Sequence, residues 1–329
     1  MKQTKWGVLG VSTHFIQRVL VPLLYSESIE VTAIASRNKE KAEAAAKEWG
    51  FPKTYGSYEE LLSDPEIDAV YNPLPNHLHL EWIKKSVDAG KPMICEKPLG
   101  LNAKEVQEAI DYSEKKGVPV MEGFMYKFHP QWIRARELAR CGELGKINAV
   151  QTHFFYNNPD PSNIRNKLET GGGAILDIGC YAVSSARLIF GEEPVRVMSL
   201  VDRSKEFGTD ILSSGILQFR GGGHATFSVG TQTFDTQGVH ILGTGGSFSI
   251  EVPFNIYPDV TMPNYISTGV GERVYEAGPA DQYGLMFEAF SEAIQNGDPV
   301  PTPLSDALNN QKVLDALFRS EESGKWEEV

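Results

Sequence analysis

Cysteine is scarce in this chain. Cys95, Cys141 and Cys180 are the only three in 329 residues, far apart and with no CxxC pair among them. That argues against a disulfide framework and against a cysteine-rich zinc site, and no metal is expected. It fits a reducing, cytoplasmic setting. Positive charge is in deficit too. Lys and Arg number 31 against 43 Asp and Glu, a net charge of −12. Phosphate affinity needs a basic face, so no nucleic-acid partner is expected and any anion site must be built locally. Long apolar runs are missing. None approaches the roughly 18 residues of a membrane span, so no membrane partner is expected. The first apolar stretch, Trp6–Val11, is too short for a secretory core and is ended by Ser12-Thr13-His14. Repeats and low-complexity tracts are not visible.

What is there is ordinary for a soluble globular protein, with 41% hydrophobic and 22% charged residues. The length suggests two domains of roughly 100–200 residues each. The first third alternates between strand and helix patterns. Lys5–Leu9, Glu30–Ala35, Ala69–Tyr71, Pro92–Cys95 and Val118–Met121 read as strands. Ile16–Tyr25, Lys39–Trp49, a capping box at Ser57 and Glu60, Asn76–Ala89 and Asn102–Gly117 read as helical. Such alternation means βαβ units and a parallel sheet whose ligands sit at the carboxyl ends of the strands.

The pattern changes near residue 123. A helix over Pro130–Arg140, a strand over Lys146–Tyr156 and a helix over Gly173–Phe190 lead into consecutive strand-like runs between Val195 and Val252. Gly221-Gly222-Gly223 and Gly243-Thr244-Gly245-Gly246 read as hairpin turns between them, so the second sheet is mostly antiparallel. Two more helices, Asp281–Gln295 and Ser305–Ser320, close the chain. The expected fold is α/β: a cofactor domain over 1–122, then an α/β domain over 123–329 with a large, mostly antiparallel open sheet. The C-terminal helices are expected to pack back across the two.

The loop after the first strand begins at Gly10, but the second and third positions of a G-x-G-x-x-G fingerprint hold Ser12 and Phe15. Ser12 is small enough for close approach of backbone to a pyrophosphate at the helix N-terminus. Phe15 departs from the pattern and should crowd helix–strand packing. Gly10, Ser12, Thr13, His14 and Phe15 are the candidate pyrophosphate loop; an ordinary strand–helix turn is the alternative. The second strand ends in Ser36 and Arg37 where NAD-binding proteins usually carry an acidic residue for the ribose hydroxyl. A hydroxyl and a guanidinium fork suit a 2′-phosphate, so NADP(H) is preferred and NAD(H) possible. The turn after the next strand contributes Asn72, Pro73, Leu74, Asn76 and His79. No third ligand makes a metal site of His77 and His79.

Cys95-Glu96-Lys97-Pro98 puts a lysine just past an apolar strand, with Pro98 fixing the direction of the chain. Glu96-Lys97-Pro98, the upstream Pro75-Asn76-x-x-His79 and the downstream segment Gly171-Gly172-Gly173-Ala174-Ile175-Leu176-Asp177-Ile178-Gly179-Cys180-Tyr181 together resemble the glucose–fructose oxidoreductase / inositol dehydrogenase / rhizopine-catabolism (Gfo/Idh/MocA) family. Phe124-Met125-Tyr126-x-Phe128-His129-Pro130-Gln131 and Asn163-Ile164-Arg165 are most similar to its dimeric dihydrodiol dehydrogenase and NADP-dependent D-xylose dehydrogenase branch. The resemblance covers nearly the whole chain. It implies a Rossmann domain, a second domain whose open sheet supports a homodimer or dimer of dimers, and a Lys–Pro peptide that is often cis.

Asp177 and Tyr181 are i and i+4, so on a helix they share a face. A phenol is a poor base unless a cation lies nearby. The catalytic expectation is therefore Tyr181 as proton-transfer residue, Lys97 as its electrostatic partner, and Asp177 orienting a substrate hydroxyl or Lys97. Glu96 is expected at the nicotinamide ribose or beside Lys97. His79 either lines the cofactor pocket or is a polar residue at a helix start. Tyr126 and Arg165 are candidate substrate contacts, with a solvated loop arginine as the alternative for Arg165. The expected activity is an NADP(H)-dependent oxidoreductase acting on a cyclic sugar or vicinal diol. Alternatives are a keto-sugar (anhydrofructose-type) reductase and a cofactor-binding protein without net redox chemistry, either a sugar sensor or an NAD-using glycosidase.

Overall fold

The computed structural model describes residues 3–329. The chain forms two units. The first comprises the chain up to Met125 together with Tyr283–Leu308, and the second comprises Tyr126–Gln282 with Asn309–Val329.

The first unit is built on strands β1 (Thr4–Leu9), β2 (Ile29–Ala35), β3 (Lys53–Tyr55), β4 (Ala69–Asn72), β5 (Met93–Cys95) and β6 (Val120–Glu122). They form one sheet in the order β3-β2-β1-β4-β5-β6. Every pairing is parallel. Its helices are α1 (Leu20–Leu24), α2 (Lys39–Trp49), α3 (Tyr58–Leu62), α4 (His79–Asp88) and α5 (Ala103–Lys116). The capping chemistry read from sequence is in place. Ser57 and Asn102 each accept a backbone N–H three residues on, and Gly50 and Gly117 end their helices in the left-handed conformation; Asn38, not marked as a cap in the sequence, accepts the Lys41 N–H in the same way at the start of α2. Strand order reverses beside β1, and the loops leaving β1, β4 and β5 are neighbours at the switch point where such sheets take ligands.

The second unit carries helix α6 (Pro130–Arg140), strand β7 (Ile147–Asn157), helix α7 (Cys180–Phe190) and strands β8 (Pro194–Arg203), β9 (Asp210–Phe219), β10 (His224–Gly230), β11 (Gln232–Gly243), β12 (Gly246–Ile250), β13 (Met262–Thr268) and β14 (Gly271–Ala277). Helix α8 (Gln282–Asn296) then runs into the first unit. Helix α9 (Leu304–Ser323) begins in the first unit and continues in the second, where β15 (Glu327–Glu328) ends the chain. The sheet order is β14-β13-β12-β11-β7-β10-β9-β8-β15. Only β7 and β10 pair in parallel; the other neighbours are antiparallel. Both glycine clusters are hairpin turns, joining β9 to β10 and β11 to β12. Buried and exposed residues alternate along β9 and β10, so one face of the sheet is covered and the other open.

Two readings need correction. The helical stretch Leu168–Phe190 is long and apolar enough to cross a membrane, although no such run was expected; 89% of its most apolar window is buried inside the protein, as for a core helix. The helices expected to follow the first strand and the triple glycine do not start as α-helices. Each opens with a π turn, over Phe15–Val19 and Ile175–Gly179. Single π turns of this kind are frequent at functional sites.

Candidate active site

At the carboxyl end of β1, Gly10 has φ of 101°, which L side chains rarely adopt. A Cβ there would also press on Leu74 at 3.2 Å. Gly10 thus lets bare backbone run past the β4 loop, the kind of cradle a pyrophosphate needs. The Ser12 hydroxyl accepts the Phe15 N–H at 3.1 Å and closes the turn. Thr13 is exposed and His14 half-buried. Phe15 is corrected: its side chain is fully buried against Phe51 and Tyr71, not presented to a cofactor. The wider π turn accommodates the ring where a third glycine would otherwise be needed. At the end of β2 the buried Ser36 hydroxyl accepts the Asn38 N–H at 3.2 Å, while Arg37 is exposed. Burial raises the pKa of Tyr58, and the neighbouring Arg37 opposes that rise. A local cation therefore stands near Gly10, since a Cβ on Gly10 would lie 3.5 Å from the Tyr58 hydroxyl. These residues fit a dinucleotide.

Asn72 ends β4 fully buried. Its amide donates to Cys95 Sγ at 3.4 Å and its side-chain oxygen accepts the Leu74 N–H at 3.2 Å. Asn72 shapes the loop, a correction to its expected direct contact with cofactor. Leu74 is buried, and Pro73 and Asn76 are half-buried around the short turn Asn76–Leu78. His79 opens α4, the polar helix-start position that was the alternative to lining the cofactor pocket. It is fully buried, with Nδ1 2.8 Å from the Pro98 carbonyl and Nε2 2.8 Å from the Leu74 carbonyl. Burial pushes its pKa down, and the ring ties the β4 loop to the turn after β5 instead of lining a pocket.

That turn begins with Glu96. The Tyr71 hydroxyl donates to its Oε1 at 2.7 Å, and His14 Nε2 lies 3.7 Å from the same oxygen. Burial alone would raise the Glu96 pKa, but His14, Lys97 and Tyr71 outweigh it and hold it down at about 2. Lys97 follows, half-buried, and its peptide to Pro98 is cis. The Glu122 carboxylate accepts the Leu99 N–H at 2.8 Å and holds the far side of the turn.

In the second unit, Asp177 lies in the π turn and Tyr181 in the first turn of α7. Asp177 Oδ2 accepts the Tyr156 hydroxyl at 2.6 Å and Arg165 Nε at 2.9 Å. Burial, then Asp177, raises the pKa of Tyr156; Asp177 raises that of Arg165. Tyr181 is 5% exposed, and its ring lies 5.1 Å from that of Phe254, 5.9 Å from Phe154 and 6.0 Å from Tyr126. Tyr126 is corrected as a substrate contact. It is fully buried behind Tyr181, its hydroxyl 2.7 Å from that of Ser184.

Residues 4–124 match the oxidoreductase family with an NAD-binding Rossmann fold, and residues 132–249 match the GFO/IDH/MocA C-terminal domain. The chain belongs to the Gfo/Idh/MocA oxidoreductase family. It is 37% identical to D-xylose 1-dehydrogenase (NADP(+)) 2 of Haloferax volcanii, over 97% of this chain and 98% of that one. It is 33% identical to the trans-1,2-dihydrobenzene-1,2-diol dehydrogenase of Mus musculus, over 75% of this chain and 74% of that one. Among solved structures it resembles a 3-ketoreductase from Actinomadura kijaniata in complex with NADP and TDP-benzene. The TM-score is 0.91 and the identity 27%, over 97% of this chain and 98% of that one.

Two residues of this Gfo/Idh/MocA chain that donate to candidate carboxylates, one in each unit, were not marked in the sequence. Tyr156 was legible in principle, since Phe154 and Tyr156 are two apart on β7 and so share a face. Tyr71 lay inside an apolar strand and gave no signal of its bond to Glu96.

Proposed function

We propose that the chain is an NADP(H)-dependent oxidoreductase that exchanges hydride with a cyclic sugar or vicinal diol, and that Tyr181 and Lys97 handle the proton. The observation that carries this reading is the setting of Tyr181. The phenol is packed into aromatic rings one turn from a carboxylate already engaged by Arg165 and Tyr156. Glu96 is likewise engaged and anionic, so it favours a charged Lys97 beside it. In this reading Tyr181 exchanges the proton of the reacting hydroxyl and Lys97 supplies the positive charge that makes a phenolate accessible at neutral pH. Asp177 and Arg165 orient neighbouring substrate hydroxyls. Gly10, Ser12, Ser36 and Arg37 would hold the dinucleotide, with Arg37 taking the 2′-phosphate. When bound, the nicotinamide supplies the hydride acceptor or donor.

The names of the relatives support a sugar or diol substrate and NADP use. Keto-sugar reduction is the same chemistry run backwards. We also assign the protein to a reducing, cytoplasmic setting, in keeping with its three free cysteines. The open face of the nine-stranded sheet is the proposed dimer interface. There Met198 pairs with Ile216 across β8 and β9, flanked by Leu200 and Leu212, all at least 36% exposed. The direct test of function is a panel of aldoses, keto-sugars and vicinal diols with NADP and NAD in parallel, read by nicotinamide absorbance. Net change is expected with NADP(H); product formed without any absorbance change would instead mean cofactor recycling.

A further inference from the structure

A second carboxylate stands at the start of the helix that carries Asp177 and Tyr181. Asp210, the first residue of β9, is 2% exposed. Its Oδ2 accepts the Ile175 N–H at 2.6 Å and the Ser213 hydroxyl at 3.0 Å. Ile175 opens the π turn, and Ala174 just before it supplies no side-chain cap of its own. The first N–H groups of a helix have no partner within it, and the helix start is electropositive. A carboxylate brought in from β9 answers both needs.

The triple glycine is shaped around this contact. Gly173 has φ of 116°, and a Cβ on it would collide with the Asp210 carboxylate. Its N–H donates to the Arg165 carbonyl at 2.9 Å, and its own carbonyl accepts the Asp177 N–H at 3.1 Å. A Cβ on Gly172 would collide with the Arg165 carbonyl. The glycines thus lie between the Arg165 segment and Asp210, and the helix start is fixed from both.

The geometry points to Asp210 as a positioning residue. It holds the first turn of this helix so that Asp177 and Tyr181 stand in the arrangement needed for turnover, and it does so without touching substrate. The inference rests on the proposed role of Tyr181. It goes beyond that role by placing the control of the Tyr181 helix on a strand that no motif marks.

Asp210→Ala and Asp210→Asn in the full chain test it. Asparagine keeps the acceptor oxygen; alanine removes it. Asp210→Ala should lower kcat for D-xylose oxidation by about tenfold, the scale of a lost cap appearing in the barrier. The NADPH dissociation constant should stay within about twofold, since only turnover geometry is disturbed. Asp210→Asn should recover kcat to within about threefold of the parent, because most of the cap survives. Amide exchange over residues 174–178, followed by mass spectrometry, should accelerate in the alanine variant and return toward the parent in the asparagine variant. Should Asp210→Ala fail to fold, Asp210→Ser is the milder replacement and should fall between the other two.

A folded alanine variant with parental kcat and parental exchange would overturn the inference. So would an asparagine variant as impaired as alanine. If the parent enzyme leaves D-xylose untouched, the substrate reading fails on its own, and the exchange measurement still decides the role of Asp210.

Discussion

Arg165 Nε lies 2.9 Å from Asp177 Oδ2, joining a loop to the helix that also carries Tyr181. The same oxygen accepts the Tyr156 hydroxyl at 2.6 Å. Asp177 is 9% exposed, so its charge depends on these donors. The loop itself is braced by the buried Asn166, which donates to the carbonyls of Asn158 and Asp160 at 2.9 and 2.8 Å. Three segments of the second unit therefore meet at one carboxylate.

Tyr156→Phe removes one donor and leaves Arg165 in place. Stability should fall by about 1.5–3 kcal/mol, the range for a hydrogen bond to a charged group. Denaturant unfolding monitored by circular dichroism reads it directly. An unchanged midpoint would mean the bond contributes nothing net.

Lys97→Met and Tyr181→Phe should each cut turnover by about 10²–10⁴-fold, the scale of general acid–base catalysis. NADP(H) binding, followed by fluorescence titration, should survive in both. Near-normal rates in the two variants would remove them from the proton-handling role.

Arg37→Ala should weaken NADP(H) far more than NAD(H), because only the former carries the 2′-phosphate that the guanidinium is proposed to take. The ratio of the two dissociation constants is the quantity to measure. Equal losses for both cofactors would place the specificity elsewhere.

His129 sets an acid limit on stability. It is 1% exposed, and burial lowers its pKa from 6.5 to about 4. Its Nδ1 accepts the Gln131 N–H at 3.3 Å as the N-cap of α6, which requires an unprotonated nitrogen. A folded-state pKa below the unfolded one means that stability is fully present above about pH 6.5 and is lost as pH falls through about 4. The full loss is about 3 kcal/mol. His79, also shifted down by burial, acts with the same sign. His129→Asn keeps a cap and should flatten the slope of stability between those pH values; an unaltered slope would contradict the assignment.

Leu200→Asp places a charge on the open sheet face, where Leu200 is 72% exposed. Light scattering should show a dimer for the parent and a monomer for the variant. A monomeric parent would refute the proposed interface.

Much of the fold was legible because local chemistry and tertiary structure agree. Ser57 and Asn102 cap the helices they announce, and the alternation of short apolar runs with helices gives the parallel sheet. Four strands were not, among them the two-residue β15. β3 is half-buried throughout, β14 is almost wholly exposed at the sheet edge, and β13 buries Asn264 while exposing Tyr265. None of them carries the apolar alternation that marks a strand. Glu96, Lys97, Asp177 and Tyr181 stand out in the sequence as candidates because residue type is tied to motif position, and their roles are proposals. At Phe15, Asn72 and Tyr126 the structure buries the whole residue, since a motif gives proximity in sequence and not the direction of a side chain. The triple glycine reads locally as a tight turn. Its stricter reason, the closeness of the Arg165 carbonyl and the Asp210 carboxylate, is a long-range contact that no local pattern records.

Direct hydride exchange between a sugar or diol and the nicotinamide carries an isotope label from one to the other. The sharpest measurement takes the best substrate from the panel, deuterated at the reacting carbon, and follows the label into the cofactor by mass spectrometry. Deuterated NADPH should form in step with oxidised product. Product without reduced nicotinamide, or reduced nicotinamide without the label, would contradict it.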